Sequence, residues 1–265
     1  MVKILLKALA NIVGRPLVLL PAIAAALANH VVLLLTFFAG AEIIADIVEF
    51  GFPLFSLAEM PFRFYSLGFW QINIVLAGFF VNLVVLGLLT IFYARFVKTR
   101  EEGNPSVKSA LSFSISKTGG IVSTIVFLAA AGLILSVFLW LLLMILSAGL
   151  PLAEVLVFLF ILLCAFIAAK LVMVFTIMGY ENLNAKQAVA ASWSFTTRHF
   201  WGTLWVVFLV AVAYVLFSGI GSIVMEPLAD DFQVIAVYYF FSNILISAVS
   251  GLALAEHYVG RKESD

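Results

Sequence analysis

The 265-residue chain carries 14 basic and 14 acidic side chains, yet 65% of its residues are apolar, only 11% are charged, and its mean hydropathy is +1.22. A soluble domain is about half apolar and a quarter charged, so the composition excludes a soluble fold and belongs to an integral membrane protein. The single cysteine, Cys164, lies in an apolar run, which leaves no disulfide framework and no thiol metal cluster.

In chain order, Lys3, Lys7 and Arg15 first flank a short apolar face of Leu6, Leu9, Ala10 and Val13, which predicts a surface helix. Pro16–Ala39 follows as the first predicted span. Its basic start and Ala26-Leu27-Ala28 resemble a cleavage signal, but the apolar stretch continues through Val31–Phe38 and reaches spanning length. Asn29 and His30 sit near its middle, with Pro21 upstream. In the link Gly40–Ser66, Glu42, Asp46 and Glu49 fall on one helical face and Ile43, Ile44 and Ile47 on another, and the aromatic-rich remainder suits a loop at headgroup level. Leu67–Ala94 is the second span and contains Asn73 and Asn82. Gly119–Leu146 and Leu152–Met178 are the third and fourth, and Lys170 lies near enough to the end of the fourth to snorkel to the interface. Trp201–Met225 and Phe232–Tyr258 are the fifth and sixth; the sixth carries Asn243 and closes on Glu256-His257, which could pair with a basic group at the inner surface but is read first as interfacial and without a role.

Between these runs lie two polar stretches that match at an offset of 78 positions, Asn104–Thr118 and Glu181–Gly202. Lys108 aligns with Lys186, Ala110 with Ala188, and Ser114 with Ser192. Each reads as a short helix capped by Ser106 or Asn184, a side chain able to accept an orphan backbone N–H. Val107, Ala110, Leu111, Ser114 and Ile115, and likewise Ala185, Ala188, Val189, Ser192 and Trp193, recur at helical spacing.

Thirteen of the 14 basic residues, all but Arg63, fall in or within about two turns of alternate connecting regions, whereas Glu42, Asp46, Glu49, Glu59, Glu154, Glu226, Asp230 and Asp231 fall in or beside the others. The positive-inside rule then places both termini and both polar stretches in the cytoplasm. The fold expected is all-α: a single integral membrane domain with six transmembrane helices in three hairpins, short cytoplasmic amphipathic helices, and repeat-like units of about 1–100, 101–178 and 179–265.

Catalysis would need a nucleophile, a paired acid and base, or a metal held by several ligands. The three histidines, His30, His199 and His257, are scattered, and no His-Glu-x-x-His, Gly-x-Ser-x-Gly or P-loop pattern occurs. The expectation is therefore a non-enzymatic module with no metal and no cofactor. Lys108, Lys117, Lys186, Ser192, Trp193, Arg198 and Trp201 would form a shallow basic ledge for anionic lipid headgroups or a protein subunit rather than for nucleic acid. The rival is a small-solute transporter or channel with a polar path through spans 1, 2 and 6, lined by Asn29, His30, Asn82 and Asn243.

The segment GYENLNAKQAVAASWSFTTRHFWGTLWVVFL is similar to the membrane domain attached to some bacterial glycerophosphodiester phosphodiesterases and to related six-span families of unknown function; Glu181, Ala188, Ser192, Trp193, Arg198, Phe200 and Trp201 carry the match. The phosphodiesterase of that family is a separate soluble domain. The resemblance thus implies a membrane module with no catalytic residue to carry over.

Overall fold

A bilayer offers no water to an exposed N–H or C=O, so a spanning chain keeps its backbone bonds inside a helix. The apolar runs follow that rule. The computed structural model describes residues 2–31, 69–147, 153–225 and 232–262, which are helical apart from short turns and contain no strand among the described residues. The Gly40–Ser66 link, with its acidic face and Arg63, lies outside the described residues, as do Glu226, Asp230 and Asp231.

In order, the helices are α1 (Val2–Gly14), α2 (Pro16–Val31, opening as the 3₁₀ turn Pro16–Leu19), α3 (Phe69–Glu101), α4 (Val107–Ser116), α5 (Thr118–Ser147), α6 (Ala153–Leu171), α7 (Val174–Glu181), α8 (Ala185–Arg198), α9 (Phe200–Met225) and α10 (Phe232–Lys262). Three stretches are long and apolar enough to cross a membrane: Ala77–Glu101, Phe158–Glu181 and Phe240–Lys262. Three further pairs pass only when taken together, Lys3–Gly14 with Pro16–Val31, Val107–Ser116 with Thr118–Ile134, and Ala185–Arg198 with Phe200–Leu216, and these bend by 107°, 51° and 100°. The chain is thus a helical membrane protein with three to six candidate spans.

The bends have local causes. At Pro16 the missing N–H interrupts the helical ladder, and Arg15 is drawn into a non-helical conformation. Asn182 closes α7 in the left-handed region at φ 60°, and Gly103 takes φ 81° just before α4. Each turn frees the chain to start a new helix in a new direction. The caps read from the sequence are present. Ser106 accepts from Ser109 N at 3.2 Å. Asn184 and Gln187 exchange bonds of 3.0 and 3.3 Å as a capping box.

The centre of the bundle is the C-terminal half of α3, where Ile91, Phe92, Tyr93, Ala94, Phe96 and Val97 are buried. Around it pack α4, α5, α7 and α10, while α1 lies on α10, α5 on α6, and α9 on α10. The C-terminal ends of α3, α7 and α10 meet at one end of the bundle: Lys98 donates to Tyr180 O at 3.0 Å, Tyr258 to Glu181 at 3.0 Å, and Arg100 to Glu256 at 2.6 Å. All three short helices, α1, α4 and α8, attach at that end.

The short helices turn inward a face adjacent to the one their large apolar residues suggest. On α1 the buried residues are Ala8 and Ile12, while Leu6, Leu9 and Val13 point outward. On α4 the buried pair is Ala110 and Ser114, with Leu111 and Ile115 exposed. On α8 it is Ala188, Ser192 and Thr196, with Trp193 half exposed. In water this arrangement would be costly. Beside lipid it costs nothing, because tails are as apolar as Leu, and small residues let helix backbones approach closely.

Candidate functional site

The end of the bundle where α3, α7 and α10 converge holds most of the polar chemistry. Glu256 on α10 is buried there. Its Oε1 accepts from Arg100 Nη1 at 2.6 Å and Asn11 Nδ2 at 3.0 Å, and Arg100 also donates to Asn11 Oδ1 at 2.8 Å. Lys7 Nζ lies 2.6 Å from Oε2 as an ion pair, without the alignment of a hydrogen bond. A carboxylate at the end of an apolar span is the one sequence signal of this knot, and nothing in the sequence alone paired it with α1.

Glu181, at the end of α7, is held by Tyr258 and by Lys262. Tyr180 donates to Glu101 at 2.7 Å. His257 is buried and shares a 3.2 Å bond with Thr203 of α9; Phe195 packs edge-on against it. These groups are engaged in joining helices, and among the described residues no group of three or more His, Cys, Asp or Glu could hold a metal.

Ser192 and Thr196 fix α8 to α6, both through the carbonyl of Lys170: Ser192 Oγ donates to it at 2.8 Å and Thr196 Oγ1 at 3.3 Å. Ser114, the position aligned with Ser192, likewise donates to Leu88 O of α3 at 2.6 Å. Both serines are therefore inward-facing joints. Lys170 itself does not snorkel. The residue is 4% exposed, its ammonium donates to Thr197 at 2.9 Å and sits 5.1, 5.5 and 5.8 Å from the ring centroids of Phe166, Phe200 and Trp193. No carboxylate among the described residues pairs with it. Cation–π attraction offsets part of the lost hydration, but a buried charge without a counterion returns less than it costs. Lys170→Met, which keeps the length of the side chain, is expected to leave the melting temperature unchanged or raise it. Lys170→Ala empties the aromatic box and is expected to cost about 2 to 4 kcal/mol. Thermal unfolding in one detergent reads both, and a Met variant melting with the Ala variant would mean that the ammonium itself holds α8.

Only two of the remaining ledge residues are brought together. Lys117 and Lys186 line one open cleft of about 560 Å³, formed between the α4–α5 bend and the α7–α8 turn, with Ser116, Ser123 and Asn184. Lys117 Nζ reaches across to Asn182 O at 3.4 Å. Lys108 and Arg198 stay exposed on α4 and α8. Trp201, 73% exposed, stands outward at the start of α9 with its ring edge-on to Phe200.

The four polar-path residues are not gathered into one lining. His30 Nδ1 returns to Ala26 O of its own helix at 2.9 Å, and its ring stacks edge-on against Phe240 of α10. Asn82 and Asn243 are exposed on α3 and α10. Asn29 alone points a polar atom inward, its Oδ1 buried without a partner. An apolar groove of about 200 Å³ runs between α2, α3 and α4 and includes Ala25, Leu89 and Phe92 in its walls. No family model matches the chain, and no curated protein or solved structure matches it.

Proposed function

We propose that the protein is a non-enzymatic module of the cell membrane with six transmembrane helices in three hairpins, which binds lipid or a partner protein through short helices on its cytoplasmic face. The observation that carries this reading is the character of α1, α4 and α8. Each bends away from the apolar helix that follows it, by 107°, 51° and 100°. Each also exposes large apolar side chains next to cations: Leu6, Leu9 and Val13 by Lys3 and Arg15, Leu111 and Ile115 by Lys108, Trp193 by Arg198. That combination suits a helix lying in the headgroup plane of an anionic leaflet, and the sorting of Lys and Arg to this end supports a cytoplasmic orientation. The likeness of the Glu181–Gly202 segment to phosphodiesterase-associated membrane domains points the same way.

Protein purified in mild detergent from a membrane of mixed lipids is expected to retain anionic phospholipid in excess over zwitterionic, and to lose that excess as salt is raised. Native mass spectrometry checks it. A second reading, a small-solute pathway, is favoured by one observation, the unpartnered buried oxygen of Asn29. Robust solute flux in liposomes, abolished by Asn29→Leu and accompanied by no lipid preference, would replace the first reading with the second.

A further inference from the structure

The cleft between the α4–α5 bend and the α7–α8 turn concentrates positive charge that the protein leaves unbalanced. Lys117 enters from one wall and Lys186 from the other, and no carboxylate among the described residues forms an ion pair with either. The nearby acids are committed elsewhere: Glu181 to Lys262 and Tyr258, Glu101 to Tyr180. A third cation, Arg95, lies outside the lining but shares an aromatic neighbour with Lys117. The Arg95 guanidinium lies 4.5 Å from the centroid of the Phe113 ring, which Lys117 Nζ also approaches at 5.4 Å, and Arg95 Nε is buried without an acceptor. An anion held between the two ammonium groups would offset their mutual repulsion.

The neutral donors suit the same anion. Asn184 caps α8 with its side-chain oxygen on Gln187 N, so its own NH₂ group is uncommitted. Ala185 and Lys186 line the cleft, and as first-turn residues of α8 their amides have no partner within the helix. Ser123 adds an exposed hydroxyl from α5. Two mobile ammonium groups, oriented amides and a hydroxyl, with room for about 560 Å³ of ligand, match a tetrahedral oxyanion better than a planar carboxylate, which favours the fork of an arginine.

We propose that this cleft is a phosphate-binding site, taking a phosphomonoester or phosphodiester between Lys117 and Lys186 above the first turn of α8. The proposal rests on the lipid-binding reading and narrows it to one site and one chemistry. An anionic lipid headgroup and a soluble phosphate ester share that chemistry, and the test separates them.

Full-length protein in mild detergent is titrated with phosphatidic acid and, separately, with glycerol 3-phosphate, and bound ligand is counted by native mass spectrometry. The variants are Lys117→Gln with Lys186→Gln, the single charge reversal Lys186→Glu at an exposed position, and, as the comparison, Lys108→Gln with Arg198→Gln. One phosphatidic acid is expected per wild-type chain, with affinity falling about tenfold or more in the first two variants and only about twofold in the third, whose exposed cations attract an anion diffusely from outside the cleft. Glycerol 3-phosphate binding that is lost in the same two variants also supports the site and assigns it to soluble esters. Unchanged affinity in the cleft variants, or equal losses in both pairs, overturns the site and leaves the broader lipid reading standing. A wild-type chain that binds neither probe overturns the site, and the lipid reading falls with it only if the purified protein also retains no excess of anionic phospholipid.

Discussion

Glu256→Ala is expected to destabilise the protein by about 3 to 5 kcal/mol, the range for breaking a buried charge pair by deleting one partner. The side chain is 1% exposed and is gripped from three directions, by Arg100 of α3 and by Lys7 and Asn11 of α1. Removing it leaves Arg100, whose side chain is only 20% exposed, facing Asn11 with no counterion. The contacts are unequal, which makes the prediction specific. Lys7 is 56% exposed, so Lys7→Ala is expected to cost about 1 kcal/mol or less, as an exposed ion pair does. Arg100→Ala, which strands the buried carboxylate, is expected to approach the cost of Glu256→Ala. Thermal unfolding of the four proteins in one detergent gives the order. The loss should also be local. With the knot cut, α1 is held chiefly by Ala8 and Ile12, and hydrogen exchange across α1 is expected to rise before that of α3. Equal melting of Glu256→Ala and Lys7→Ala would show that burial of this carboxylate contributes nothing to holding α1.

The same knot shows what could be read from the sequence. Helical class, the approximate limits of the apolar runs and both N-caps were legible, because they depend on local composition and on the chemistry of a few residues. Pro16, Ser106 and Asn184 announce their turns whatever surrounds them. The direction each short helix faces was not legible. Periodicity reports that Leu6, Leu9 and Val13 share a side, but whether that side meets protein or lipid depends on the solvent, and in a bilayer the small residues win the interior. Long-range polar partners were equally hidden. Lys170 reads as a snorkelling cation until the α6–α8–α9 junction places Phe166, Trp193 and Phe200 around it, and Glu256 reads as an idle interfacial charge until α1 folds back onto α10. Of the ledge, the sequence named Lys117 and Lys186 but not their grouping. Only the juxtaposition of two turns 65 residues apart brings Lys117 to Asn182 and so into one cleft with Lys186.

Gly179→Ala is expected to be the second severe loss, about 3 kcal/mol or more, and by a different cause. At this point α7 crosses α3 with no space for a side chain: a methyl group would lie 2.7 Å from Ile91 O, 2.9 Å from Ile91 Cα and 2.9 Å from Ala94 Cβ. None of these atoms can rotate away, since two are backbone and the third is fixed to it. Relief requires α7 to shift bodily, beyond the 1 to 3 kcal/mol usual for an overpacked side chain. A shifted α7 would pull Tyr180 from Lys98 and Glu181 from Tyr258, loosening the end of the bundle and the wall of the phosphate cleft with it. Gly251→Ala provides a graded comparison. There the added methyl meets Cδ2 of the Tyr93 ring, and the ring is itself buried and bonded to Val18 O. A side chain can adjust where a backbone cannot, so its cost is expected to be smaller. Gly132 on α5 has no atom within 4 Å of an added methyl, and Gly132→Ala is expected to melt with or slightly above the wild type, because alanine forms helix more readily than glycine by about 1 kcal/mol. A Gly179→Ala protein that melts like Gly132→Ala would mean that α7 does not cross α3 at this contact, and the convergence of α3, α7 and α10 on which the cleft depends would have to be rebuilt.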